Sequence, residues 1–166
     1  MKKLHPGVKV SWRVSAYISV IILAIFISLW FMPILKVFGV GFFGMLKMFI
    51  FLFVVLAILA EIWIRLSYDR WLYEFTKTNL KIERGVIFKR YSNVPYQRVQ
   101  NVDIRRGIIA RMLGFSAVFI QTAGYSYGGG QGLGSEGYLP AVSKEEAEKI
   151  RDFVMKKISK RSSQGL

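Results

Sequence analysis

Residues 14–35 read VSAYISVIILAIFISLWFMPIL, 22 positions without a charge. As a helix this run rises about 33 Å, against a hydrocarbon core of roughly 30 Å, so it reads as a membrane span. A cleaved signal peptide fits less well. Lys2 and Lys3 make a basic leader, but the run exceeds the usual apolar length of about 7–15 residues and no small-x-small site follows. A second apolar block, residues 42–60, is interrupted only by Lys47. A lysine near a span's outer end extends its ammonium to the interface, whereas lining a pathway is the rarer use of a lone lysine.

The connection between the blocks, residues 36–41, is too short for a domain, so the spans form an antiparallel hairpin with both ends on one side. Lys2, Lys3, Lys9 and Arg13 precede the first span, and Arg65, Arg70 and Lys77 follow the second. Only Lys36 and Lys47 lie near the connection. By the positive-inside rule both termini are expected in the cytoplasm of a cell-membrane protein. Trp12, Tyr17, Trp30, Trp63, Tyr68 and Trp71 lie near the expected boundaries, where amphipathic rings favour the headgroup layer and are equally available for helix packing. Glu61 with Arg65, and Arg65 with Asp69, are i,i+4 pairs that favour continuing the second helix past the membrane.

Beyond residue 70 the pattern changes to short alternating segments between turn residues, the signature of strands. Trp71, Tyr73 and Phe75 share one face. Asn79 marks a turn before Leu80 and Ile82, and Gly85 another before a strand of Val86, Ile87 and Phe88. After Pro95, the residues Gln100, Val102 and Ile104 oppose Val99, Asn101 and Asp103. Residues 107–114, GIIARMLG, read as a helical turn or tight corner, and residues 115–120 as a strand apolar on both faces. Ser143 and Glu146 form a capping box opening a helix whose inward stripe is Ala147, Ile150, Phe153, Val154 and Ile158. The expected organisation is a basic cytoplasmic tail at 1–13, a two-helix transmembrane hairpin at 14–64, a small mainly-β barrel or sandwich closed by one helix at 70–160, and a frayed tail at 161–166.

Residues 94–124, VPYQRVQNVDIRRGIIARMLGFSAVFIQTAG, carry a proline-led strand (Pro95, Arg98, Gln100, Val102), a corner (Gly107, Arg111, Leu113, Gly114) and a closing Thr122-Ala123-Gly124. With two preceding spans, this ordered combination resembles the membrane-anchored bacterial pleckstrin-homology-like family, often called YdbS-like, over residues 14–158. The resemblance implies two roughly orthogonal antiparallel sheets with a capping helix, and no settled activity. The Gly-rich segment 125–137 departs from the family pattern. Pro95, Gln100, Gly107, Arg111, Gly114, Thr122 and Gly124 match family positions and are read as structural; among them Gly124 is read as serving backbone conformation, and Arg111 and Thr122 local hydrogen bonding.

Chemistry has little material here. There is no cysteine, the single His5 is expected to be solvated in the tail, and the only carboxylates between Phe75 and Ser135 are Glu83 and Asp103. No acid–base pair, nucleophile or metal cluster is evident, so neither enzyme, metal nor cofactor is expected. Gly132, Gly134 and Gly137 satisfy G-x-G-x-x-G, but Tyr138, Leu139 and Pro140 follow where a helix should open.

Charge is the main functional clue. The chain holds 24 Lys and Arg against 10 Asp and Glu, and a basic surface tethered near the inner leaflet meets a negative potential. Lys81, Arg84, Lys89, Arg90, Arg98, Arg105 and Arg106 are the candidate contacts to anionic headgroups, against the plainer reading that they are a solvated face. The expected function is thus a non-catalytic module binding anionic lipid at the bilayer. The alternative is a scaffold that recruits a membrane-protein partner or self-associates, and an exposed apolar patch would favour it. Nucleic-acid binding lacks a recognition motif.

Overall fold

The structure, a computed structural model, describes residues 1–122 and 137–162. The chain divides into two compact units, one of residues 9–65 and one of residues 1–8 together with the chain from Leu66 onward.

The first unit is the helical hairpin. Helices α1 (Val8–Val37) and α2 (Phe42–Asp69) each contain a window of mean hydropathy 2.7, long and apolar enough to cross a membrane. The uncharged run thus fixes the middle of α1 but not its start, which lies six residues earlier than the sequence implies. Arg13 and Glu61 tie the helices together. Arg13 Nε donates to Glu61 Oε2 at 2.9 Å, a second guanidinium nitrogen donates to Oε1, and Arg65 Nε donates to the same Oε1 at 3.2 Å. The expected Glu61–Arg65 pair is therefore present, while Asp69 takes Lys3 at 2.8 Å.

The second unit is a pair of antiparallel sheets. Among the described residues one sheet has the order β1 (Lys2–Lys3), β2 (Leu72–Phe75), β3 (Asn79–Arg84), β4 (Arg90–Pro95). The other has β5 (Val99–Arg105), β6 (Phe115–Thr122), β7 (Gly137–Ser143). The short helix α3 (Ile108–Met112) joins β5 to β6, and helix α4 (Lys144–Ser162) packs on the second sheet and starts with Glu146 N donating to Ser143 Oγ at 3.2 Å, as its capping box requires. Tyr73, Leu80, Ile82 and Val94 from one sheet, Val102, Val118, Ile120 and Leu139 from the other, and Ala147, Ile150 and Val154 from α4 are buried. Burial of such side chains contributes about 1.5–3 kcal/mol each, the main force holding the sheets.

Several expectations are corrected. Lys2 and Lys3 pair in register with Tyr73 and Leu72, and Leu4 is buried, so the start of the chain is an edge of the sheet rather than part of a loose tail. His5 is half-buried rather than free in solvent. Its backbone N–H donates to Ala141 O at 3.0 Å, its ring Nδ1 accepts from Gly7 N at 3.2 Å, and its ring lies 6.0 Å from that of Phe115. Val86, Ile87 and Phe88 form a turn, not a strand. Gly85 there has φ +116, and a Cβ on it would sit 2.0 Å from the Phe88 carbonyl oxygen, so the chain doubles back too tightly to pair. Val99 and Val102 are both buried although the alternation separates them, because a bulge between Val99 and Asn101 shifts the register. Ala123, Gly124 and residues 125–136 lie outside the described residues, as does the end of the chain from residue 163.

Candidate functional site

The sheet unit has a distinct junction end. The chain leaves this unit after Val8 and rejoins it at Leu66. The Tyr68 hydroxyl donates to Leu4 O at 3.0 Å and Lys3 pairs with Asp69, so the two junctions lie side by side. Trp71 comes next, its ring 5.5 Å from the Arg84 guanidinium, which puts the β3–β4 turn at this end. Gly7 puts the β5–β6 corner there as well, since a Cβ on it would lie 2.9 Å from Phe115 and 3.3 Å from Leu113. Tyr68 and Trp71, expected as interface rings, thus make packing contacts within the sheet unit.

The seven candidate basic residues fall into three groups. Arg84, Lys89 and Arg90 cluster at the β3–β4 turn, where Arg84 and Arg90 are direct cross-strand partners. Like charges directly opposed are destabilising, and here burial first and Arg90 second push the Arg84 guanidinium below its usual range. The Tyr138 side chain offsets part of that, and the Trp71 face stacks against the guanidinium. Lys89 has a partner in Glu83 at 3.3 Å; Arg90 is exposed.

Arg105 and Arg106 flank the second tip. Arg105 lies over the Phe119 ring at 4.8 Å and 4.0 Å from Asp103. Arg106 serves the fold, because its Nε donates at 2.8 Å to Ser116 Oγ, a buried hydroxyl. Lys81 lies mid-strand opposite Glu74 and Asn93, and Arg98 sits in the turn Tyr96–Arg98 after Pro95, at the end away from the junctions.

The family-motif residues divide similarly. Gly114 adopts φ +73, a conformation that favours glycine, and Thr122 is buried. Pro95 ends β4 in extended conformation and Gly107 caps α3 (Ile108–Met112) at φ −75, a conformation open to any residue. Gln100 and Arg111 are exposed.

What the residue pattern missed is apolar. In the sheet unit the four most exposed large hydrophobic residues among those described are Phe88 at 87%, Met112 at 82%, Ile108 at 77% and Ile87 at 71%. All four sit on the two tips at the junction end. The sequence pattern places Ile87 and Phe88 in a strand after a turn at Gly85; the Gly85 turn, whose geometry depends on pairing, instead sends them outward.

For catalysis the arrangement offers little. Glu83 and Asp103 lie on different sheets, Glu83 held by Lys89 and Asp103 by Gln121 at 2.9 Å and Asn101 at 3.0 Å. Among the described residues no group of three His, Cys, Asp or Glu side chains could hold a metal. An open cleft of about 490 Å³ beside α4 is bordered by Lys2, Lys149, Glu145 and Glu146, charges of both signs that favour neither an anion nor a cation.

Comparison with known proteins bears on the whole arrangement. A family described as "Bacterial PH domain" matches residues 8–158, taking in both long helices and the sheets. The UPF0699 transmembrane protein YdbT of Bacillus subtilis (strain 168) is 27% identical over 96 residues, 58% of this chain; the match spans 18% of that relative's length. No solved structure matches. A family match over nearly the full length, two apolar helices and a two-sheet unit closed by a helix agree: the chain is a membrane protein of the bacterial PH domain family.

Proposed function

We propose that the sheet unit is a non-catalytic binding module on the cytoplasmic side of the cell membrane, and that it binds anionic lipid headgroups through Arg84, Lys89 and Arg90, with Arg105 as a further contact. The observation that carries this reading is the direct opposition of Arg84 and Arg90 beside Lys89, at the end where the chain continues into the spans. Opposed cations cost stability in the free protein, and a phosphate between them converts that cost into affinity. The positive-inside balance around the hairpin supports the cytoplasmic side. Lys81 and Arg98 lie away from this cluster and Arg106 is engaged with Ser116, so these three are excluded from the proposed contact set.

The test uses the full chain in detergent micelles, because residues 1–8 belong to the sheet unit and a fragment starting near residue 70 would lack its edge strand. Added phosphatidylglycerol should raise the unfolding temperature more than phosphatidylcholine does, with the difference shrinking at high salt. The double variant Lys89→Ser, Arg90→Ser should abolish the difference. An equal response to both lipids sinks the proposal.

A further inference from the structure

The four exposed apolar side chains have no basis in the folding of the sheet unit, since they bury little there. Their surroundings identify what covers them. Ile87 and Phe88 are followed directly by Lys89 and Arg90, while Ile108 and Met112 share their corner with Arg105, Arg106 and Arg111. A protein-binding core is depleted in charge, whereas apolar tips interleaved with Lys and Arg match the boundary between acyl chains and headgroups. Both tips also lie at the end of the unit from which the chain passes directly into helices apolar enough to span a bilayer. The tether therefore holds that end close to the one apolar phase known to be nearby.

We infer that the β3–β4 turn and the α3 corner are two insertion tips, Ile87 with Phe88 and Ile108 with Met112, that enter the headgroup–acyl boundary of the same bilayer the hairpin crosses. The base of the β3–β4 tip is shaped by the tight turn at Gly85, where a Cβ would sit 2.0 Å from the Phe88 carbonyl oxygen. Two tips on separate sheets make a two-point contact that sets the tilt of the unit on the membrane, which a tether alone does not. The inference rests on the proposed placement against the membrane but not on headgroup selectivity.

The chain has no cysteine, so single sites can be labelled without removing native ones. Phe88→Cys, Met112→Cys and, at the β2–β3 turn away from the junctions, Lys77→Cys would each carry an environment-sensitive nitrobenzoxadiazole group. The full chain would be reconstituted in phosphatidylcholine vesicles with and without phosphatidylglycerol, and with lipids bearing a nitroxide near the acyl carbonyl. Blue-shifted emission quenched several-fold by the nitroxide lipid at 88 and 112, with neither change at 77, is the expected result in both lipid mixtures. That pattern stands even where the micelle experiment shows no preference for anionic lipid, so the two failures are distinguishable. Emission at 88 and 112 as water-like as at 77 overturns the inference. So does a blue shift that the nitroxide lipid leaves unquenched, which would assign the tips to a protein partner or a second copy of the chain.

Discussion

The two units use the same apolar residue types in opposite ways. In the hairpin Ile22, Phe26, Leu29, Trp30, Phe51 and Ile58 are exposed, while in the sheet unit Tyr73, Leu80, Val94, Val118, Ile120 and Leu139 are at most 1% exposed. A sheet unit in water is held by what it hides, whereas a hairpin in lipid gains nothing from hiding one apolar face against another and depends on backbone satisfaction, close packing and polar ties such as Arg13–Glu61. The exceptions in each unit then become informative: charge inside the helical one, and bare apolar tips on the sheet one.

The sharpest way to break this contrast is equal truncation on both sides of it. Leu80→Ala removes a fully buried side chain and should cost about 2–5 kcal/mol in chemical denaturation of the full chain in micelles, followed by near-ultraviolet circular dichroism. Ile58→Ala, on the exposed surface of α2, should stay within about 0.5 kcal/mol. Comparable losses would show that the hairpin, too, is held by a buried apolar core.

Two glycines refine the same comparison within the sheet unit. Gly85→Ala combines positive φ with a backbone collision at Phe88 and should cost about 1–3 kcal/mol. Gly114→Ala carries positive φ in open space and should cost only about 1 kcal/mol. If both lose the same amount, conformational strain alone matters and the tight approach at the first tip does not.

Among the arginines the division is between those serving the fold and those left for a ligand. Arg106→Leu leaves the buried Ser116 hydroxyl without its partner and should cost about 1–2 kcal/mol, while Lys81→Ala should stay within about 0.5 kcal/mol. Neither variant should alter the response to anionic lipid. A loss of that response in Arg106→Leu at unchanged stability would return Arg106 to the binding set.

These contrasts follow what local sequence can and cannot encode. The spans, the capped α4 and the corner at 107–114 are legible because each is written in consecutive residues: an uncharged run, Ser143 with Glu146, a short apolar stretch between glycines. The pairing of Lys2 and Lys3 with Tyr73 and Leu72 is not, since two lysines carry no strand pattern and their partners lie some 70 positions away. The basic residues are visible as charges, but their sorting depends on cross-strand register. Arg84 meets Arg90 and Arg106 meets Ser116 only once the strands pair. The apolar tips were hidden for the same reason, as Ile87 and Phe88 differ from core residues only by where the Gly85 turn sends them.

The smallest effect expected concerns the far end of the sheet unit, where Tyr96 joins three elements. Its hydroxyl donates to Thr76 O at 3.0 Å, its N–H donates to Thr78 O at 3.1 Å, and its ring meets that of Phe153 edge-on at 5.6 Å between centroids. Burial pushes the phenol up to about 12, from an ordinary value of 10.0, because the phenolate would lose its water. Between those values the native state keeps a proton that the unfolded chain has released, so stability is fully present below pH 10 and falls as pH rises toward 12. The slope is on the order of 1 kcal/mol per pH unit for this one group. Tyr73 and Tyr138 are raised by burial as well and add to the same decline. Tyr96→Phe should therefore be slightly less stable at pH 8, through its lost hydrogen bond, yet lose less on going to pH 11. Parallel pH curves for the two proteins would show that the hydroxyl is solvated in the native state.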